Sequence, residues 1–155
     1  MKLNYTFTTD LWEVTIIPLN KVVNDRGHLM EVQRNDDSHF QGFGQAYITN
    51  TLPGVIKAWY RHQNQVDQIA PVCGRAKAVL YDSRKDSPSY GKILEVYLDE
   101  MEPVLLRIPP GVWHGHKAIS DKPIYLLHLN TIPYQFENVD EERIAPDSPL
   151  IPYVW

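Results

Sequence analysis

Two short stretches of this 155-residue chain hold residues whose types and spacing could do chemistry. Between Gly54 and Gly74 lie Tyr60, His62 and Asp67, and the run Pro109-Pro110-Gly111-Val112-Trp113-His114 adds a second imidazole. Residues 60 and 62 are two apart, so on a strand both point to the same side, and Asp67 can return on the partner strand after a tight turn. Two imidazoles and a carboxylate can hold iron or manganese. Without a metal, Tyr60 and Asp67 become walls of a polar pocket. An imidazole, with an intrinsic pKa of about 6.5, exchanges a proton near neutrality. A phenol, at about 10, is a poor base there unless strongly perturbed.

Strands must position these groups, and the sequence is patterned for strands. Twelve prolines, with Gly and Asp among them, punctuate short apolar runs, a rhythm that belongs to an all-β domain. In Lys77 to Tyr81, Ala78 and Leu80 alternate with Lys77, Val79 and Tyr81. Leu94, Val96 and Leu98 alternate with Ile93, Glu95 and Tyr97, and Val104, Leu106 and Ile108 with Leu105 and Arg107. In Ile124 to Asn130 the set Tyr125, Leu127, Leu129 is purely apolar, so His128 and Asn130 look toward a pocket or solvent. His116, two residues beyond His114, can share its face. Trp59 and Trp113 read as core or interface residues, and Asp82 with Arg84 as a structural pair shaping a turn. The best helix candidate is short, Asn138 to Ile144, acidic at its start.

Composition narrows the classes. The length suits one domain, residues 1–155, large enough to bury a core without staples. A net charge of -4, with scattered Lys and Arg, argues against broad nucleic-acid binding. The single Cys73 forms no internal disulfide. No apolar run approaches the roughly 18–20 residues of a membrane helix, and the first residues lack the regions of a signal peptide. The expectation is a cytoplasmic protein without a membrane partner.

The spacing of Gly54 to Gly74, followed by Pro109 to His114, resembles the two cupin motifs, with Tyr60 at the first His position and Asp67 at the Glu. The resemblance implies an all-β cupin, a double-stranded β-helix or jelly-roll barrel of two antiparallel sheets. From about Val22 to Trp155 the chain also resembles the dTDP-4-dehydrorhamnose 3,5-epimerase family. Asn24 to Glu31 is similar to D-x-R-G-x-F-x-E, Tyr81 to Gly91 to D-x-R-x-x-S-P-T-F-G, and Ile108 to Gly115 to I-P-x-G-F-A-H-G. Tyr134, Glu141-Glu142-Arg143, Asp147 and Trp155 resemble the family's C-terminal pattern.

This resemblance implies a nucleotide-sugar substrate, a homodimer and no cofactor. Arg26 and Glu31 match residues that hold the base across a dimer interface, Gln45 a polar pocket residue, Lys57 an Arg on the diphosphate, and His114 a His facing the sugar. Tyr134 corresponds to the Tyr that returns a proton. The family's general base, however, falls at Tyr60, and its orienting Asp has no counterpart in the sequence. His62, on the same strand face, is then the expected base, with Asp67 as its orienter. Abstracting a proton beside a ketone further needs an oxyanion partner, Lys57 or His114, and a donor, Tyr60 or Tyr134. His116 and His128 complete the expected substrate pocket. The outcome is epimerisation or ketoisomerisation of a dTDP-linked 4-keto-6-deoxyhexose or related sugar. The alternatives are a metal-dependent cupin using His62, Asp67 and His114, and a nucleotide-sugar binding protein without turnover.

Overall fold

The structure, a computed structural model, describes residues 7–155. Among these the chain is all strand and loop, with β1 (Phe7–Thr8), β2 (Thr15–Pro18), β3 (Lys21–Asn24), β4 (Gly27–Met30), β5 (Gln45–Thr51), β6 (Ile56–His62) and β7 (Asp67–Cys73) in its first half. Then follow β8 (Arg75–Asp82), β9 (Ile93–Asp99), β10 (Val104–Ile108), β11 (Val112–Ala118), β12 (Ile124–Asn130) and β13 (Glu141–Arg143). They build a six-stranded antiparallel sheet, β1-β2-β10-β7-β12-β5, facing a five-stranded one, β13-β6-β11-β8-β9. β3 and β4 form a separate hairpin. This is the expected cupin-type barrel.

The alternating runs explain the barrel. Ala78 and Leu80 of β8, Val96 and Leu98 of β9, and Leu106 and Ile108 of β10 point inward and pack with Ile69, Ile124 and Leu126 into one buried cluster. Their alternates lie outside, and three of them, Val79, Leu105 and Arg107, are covered as well. On the five-stranded sheet, Val79, Trp59 and Trp113 are buried under the C-terminal segment, where Trp155 packs 4.8 Å from the Trp59 ring. On the six-stranded sheet, Leu105 and Ala70 are buried with Ile17 against Leu19 and Val32. Each sheet is thus coated on part of its outer face.

Two local expectations are corrected. Asn138 to Ile144 is not a helix: its centre is β13, which pairs Glu141 with His62, Glu142 with Arg61 and Arg143 with Tyr60. The edge of β6 needs a hydrogen-bonding partner, and tertiary pairing overrides a weak helical preference. Nor does Asp67 return on a strand paired with β6. The chain turns a corner at residues 63–66 and enters the facing sheet, where β7 lies between β10 and β12. Asp67 therefore looks across the barrel at β6 and β11.

Gly115 is required where it stands. A Cβ there would lie 2.4 Å from the Ala58 Cβ and 2.9 Å from the Lys57 carbonyl oxygen, so only glycine lets β11 approach β6 this closely. The β11–β6 register shifts at this point, between His114 and His116.

Candidate active site

The barrel interior divides along its length. One part is dry core; the other opens into a cavity of about 310 Å³ whose floor is Ile69, Ala78, Leu98, Leu106, Ile108 and Leu126. Its walls carry nearly all the charge: Lys57, Tyr60, His62, Asp67, His114, Glu141 and Arg143, with His116 and His128 deeper among Tyr47 and Thr49.

His114 and Asp67 form its fixed pair. The His114 Nε2 lies 2.8 Å from the Asp67 Oδ2, and the Nδ1 3.2 Å from the Val112 carbonyl oxygen. Both ring nitrogens thus face acceptors and both can donate, which is the bonding of an imidazolium. Burial opposes that charge, but the Asp67 hydrogen bond and charge outweigh it and raise the His114 pKa above its ordinary value. Burial likewise pushes the Asp67 carboxyl up, and the His114 bond and charge, the nearby His62 and the Gln65 amide together bring it below the usual range.

His62 sits beside this pair with a different set of neighbours. Its Nδ1 is buried without a hydrogen bond, 3.5 Å from the Asp140 Oδ2. Its Nε2 faces the Gln65 amide nitrogen at 3.2 Å, Asp67 at 3.4 Å and Glu141 at 3.9 Å. Asp140 is anchored by the backbone N–H groups of Asn64 and Gln65 and by the Asn64 amide. Asp67 accepts from the Gln65 amide at 2.6 Å. The carboxylate placed against His62 Nδ1 is therefore Asp140, while Asp67 belongs to His114.

The two deep histidines are neutral by environment. His116 shares a hydrogen bond with the Thr51 hydroxyl and His128 with that of Thr49, each at 3.0 Å, and Tyr47 stacks on His128. Burial pushes His116 down to about 3 and His128 to about 4, with neighbouring positive groups adding to the shift for His116. At the outer wall Lys57 donates to the Asn50 carbonyl at 2.5 Å, and the Arg143 guanidinium lies 5.4 Å from the Tyr60 ring centre and bonds Glu141.

The cavity thus gathers Tyr60, His62, Asp67, His114, Lys57, His116 and His128. Four expected site residues lie outside it. Gln45 is two residues along β5 from Tyr47 and accepts from the Tyr134 N–H at 2.7 Å. Tyr134 itself is 47% exposed against Phe136. Arg26 occupies the exposed β3–β4 turn, and Glu31 lies just beyond β4, 3.2 Å from Arg34. Sequence reasoning missed Tyr47 and Thr49 as pocket residues and Thr51 as the partner of His116, although the alternation in Gln45–Thr51 places them on the face of Gln45. It also missed the inward roles of Asp140, Glu141 and Arg143, for which a supposed helix left no signal.

Comparison with known proteins agrees with this geometry. The family described as dTDP-4-dehydrorhamnose 3,5-epimerase matches residues 8–155. The chain is 37% identical over 142 residues to the spore coat polysaccharide biosynthesis protein SpsL of Bacillus subtilis, covering 92% of this chain and 94% of that one. It is 38% identical over 148 residues to a probable low-salt glycan biosynthesis epimerase of Haloferax volcanii, covering 94% and 95%. Among solved structures, a dTDP sugar isomerase from Desulfovibrio desulfuricans superposes with a TM-score of 0.92 at 32% identity, covering 96% of this chain and 94% of that one.

Proposed function

The chain belongs to the dTDP-4-dehydrorhamnose 3,5-epimerase family, and from that premise we propose that it epimerises a dTDP-linked 4-keto-6-deoxyhexose for polysaccharide or glycan synthesis. It is a sugar epimerase, an enzyme of the isomerase class. The observation that carries the reading is one cavity holding a candidate base, a locked cation and a phenol over an apolar floor.

In this reading His62 removes the proton from the carbon beside the ketone. The Asp140 carboxylate, 3.5 Å from Nδ1, favours a proton there by its charge and so the tautomer that leaves the Nε2 lone pair free, and the substrate displaces the Gln65 amide from that lone pair. The electrons of the broken C–H bond delocalise onto the ketone oxygen, where the His114 imidazolium, held charged by Asp67, stabilises the enolate. A proton returned to the opposite face of the carbon, from Tyr60 or Tyr134, inverts it; return to a neighbouring position gives the ketoisomer instead. Lys57 and Arg143 supply positive charge for the diphosphate. His116 and His128 are neutral hydrogen-bonding walls.

Arg26, Glu31, Gln45 and Tyr134 serve the nucleotide and the mouth of the site in a cytoplasmic homodimer. The exposed Val22, Val23 and Leu29 of the β3–β4 hairpin support this, as do Ile48 on the edge strand β5 and Tyr125 on neighbouring β12. No helix of the described residues is long and apolar enough to cross a membrane.

The test combines binding with exchange. A dTDP sugar should raise the melting temperature more than UDP, GDP or CDP sugars do. His62→Asn should lose about 10²–10⁴-fold in deuterium incorporation from heavy water beside the ketone, with nucleotide affinity nearly constant. Wild-type exchange in His62→Asn, with loss in Tyr60→Phe, moves the base to position 60.

A second reading has its own observation. Ligand atoms of His62, Asp67 and His114 all lie within 4.8 Å of one another, a set that suits iron or manganese. Against it stands the Gln65 amide nitrogen, which faces both Asp67 Oδ1 and His62 Nε2, two of the atoms a metal would need. Elemental analysis of protein purified without chelators decides. A stoichiometric transition metal puts this reading first.

A further inference from the structure

The outer face of the six-stranded sheet carries a polar row that the reaction does not use. Arg107 of β10 is directly opposite Thr15 of β2 on one side and Gln68 of β7 on the other. Residues in register on adjacent strands share a face, so the three side chains stand in line, pointing away from the reaction cavity, which Ile108 enters from the opposite face. Gln68 is fully occupied: it accepts from the Gln33 amide at 2.7 Å and donates to the Leu129 carbonyl at 2.8 Å.

Among the described residues its two neighbours have no such partners. Arg107 is 8% exposed and its Nε is buried without a hydrogen bond; the Thr15 hydroxyl is buried and unpaired as well. Burial alone acts on the Arg107 pKa, lowering it, because among the described residues no carboxylate lies close enough to offset the cost. A buried charge left unpaired is strongly unfavourable, so native proteins pair such charges almost without exception. Beside Arg107 a cavity of about 210 Å³ opens among Glu13, Gln41, Val66, Pro109 and Pro110. The one anion in that wall, Glu13, is engaged by the Arg84 guanidinium at 2.8 Å. The prolines bring no N–H, so the donors that line the cavity are the guanidinium and the Gln41 amide, and the unpaired Thr15 hydroxyl stands next to Arg107 in register on β2.

We propose that Arg107 and Thr15 form a second, non-catalytic site for an oxyanion on the outer face of the barrel. A planar guanidinium recognises phosphate or carboxylate through paired N–H···O bonds, with the hydroxyl as a further donor. The oxyanion comes either from solution or from a side-chain carboxylate of a second copy of this chain.

The experiment separates the two sources. Melting temperature is followed in millimolar inorganic phosphate or acetate against chloride at constant ionic strength, for wild type and Arg107→Gln, with light scattering on both. A free anion raises the wild-type value by about 2–4 °C and leaves Arg107→Gln unmoved. A carboxylate of a second copy gives no anion response, and Arg107→Gln instead shifts the protein to monomer. If Arg107→Gln does not fold, Thr15→Val, which removes only the hydroxyl, should cut whichever response the wild type shows severalfold. An anion response that persists unchanged in the variants overturns the proposal. So does the absence of any response together with an unchanged oligomeric state.

Discussion

Asp67 and Asp82 are both buried carboxylates at the ends of strands, and their surroundings differ in kind. Asp82 closes β8 and accepts five hydrogen bonds: from the Arg84 backbone N–H, Nε and Nη2, and from the hydroxyls of Ser87 and Ser89. Ser89 in turn accepts from the Trp12 N–H. Burial pushes the Asp82 carboxyl up, but these donors hold it well below the usual carboxylate range. Asp67 opens β7 and has only two close donors, His114 and the Gln65 amide, with His62 at 3.4 Å. The cation that holds Asp82 is permanent, whereas the one that holds Asp67 can lose its proton. The first arrangement stabilises a turn; the second can take part in chemistry.

Exchanging Asp67 for Asn should have the largest effect, and on activity. Without the carboxylate, burial favours neutral His114 and the enolate loses its cation, so turnover should fall by about 10²–10³-fold. Urea unfolding should change less, because a neutralised His114 leaves no stranded charge. Asp82→Ala should reverse the pattern. It strands Arg84 and two hydroxyls, so stability should fall by about 3 kcal/mol, the lower end for a broken buried pair since Arg84 keeps Glu13. The folded fraction should retain wild-type turnover per molecule. If Asp82→Ala instead lost turnover with stability unchanged, the contrast between the two carboxylates would not hold.

The comparison sharpens with pH. Asp82, depressed, contributes fully above its unfolded value of about 4, and that contribution disappears only as pH falls through the much lower folded value. His114, raised, contributes fully below about 6.5 and loses its contribution as pH rises through its higher folded pKa, where turnover should decline too. His116 and His128, pushed down to about 3 and about 4, act oppositely. Below about pH 6.5 the unfolded chain takes up a proton on each that the folded chain resists, so stability falls as pH drops. Between pH 6.5 and 4.5 each should cost on the order of 1 kcal/mol per pH unit. His128→Gln should flatten that limb in urea titrations; an unchanged slope would mean that His128 is protonated in the folded protein. The smallest expected effect is Arg84→Lys, about 1 kcal/mol, from losing the two-pronged grip on Asp82 while keeping the charge.

Much was legible without the fold. The alternating runs at 93–98, 104–108 and 124–130 lie within β9, β10 and β12, whose bounds are nearly theirs, and the run at 77–81 lies inside β8. Their inward faces are the ones the apolar residues marked, and in Ile124–Asn130 the side bearing His128 faces the barrel, the pocket outcome of the two that its alternation left open. The turn built on Asp82 and Arg84 was readable too, because all its parts lie within a few residues. These features are local: a period of two and a turn pattern are set by neighbours along the chain.

What only the tertiary structure decided is who faces whom. The corner at residues 63–66 carries Asp67 into the opposite sheet, where it meets His114 rather than orienting His62. β13 docks on the edge of β6 in place of a helix, which brings Asp140 to the His62 Nδ1 and turns Glu141 and Arg143 into the cavity. Arg107, an ordinary outward residue by its alternation, is buried because distant loops close over that face of the sheet. Each of these contacts joins segments far apart in the chain. Its energy is gained only when the barrel closes, so no short window of sequence carries its signal.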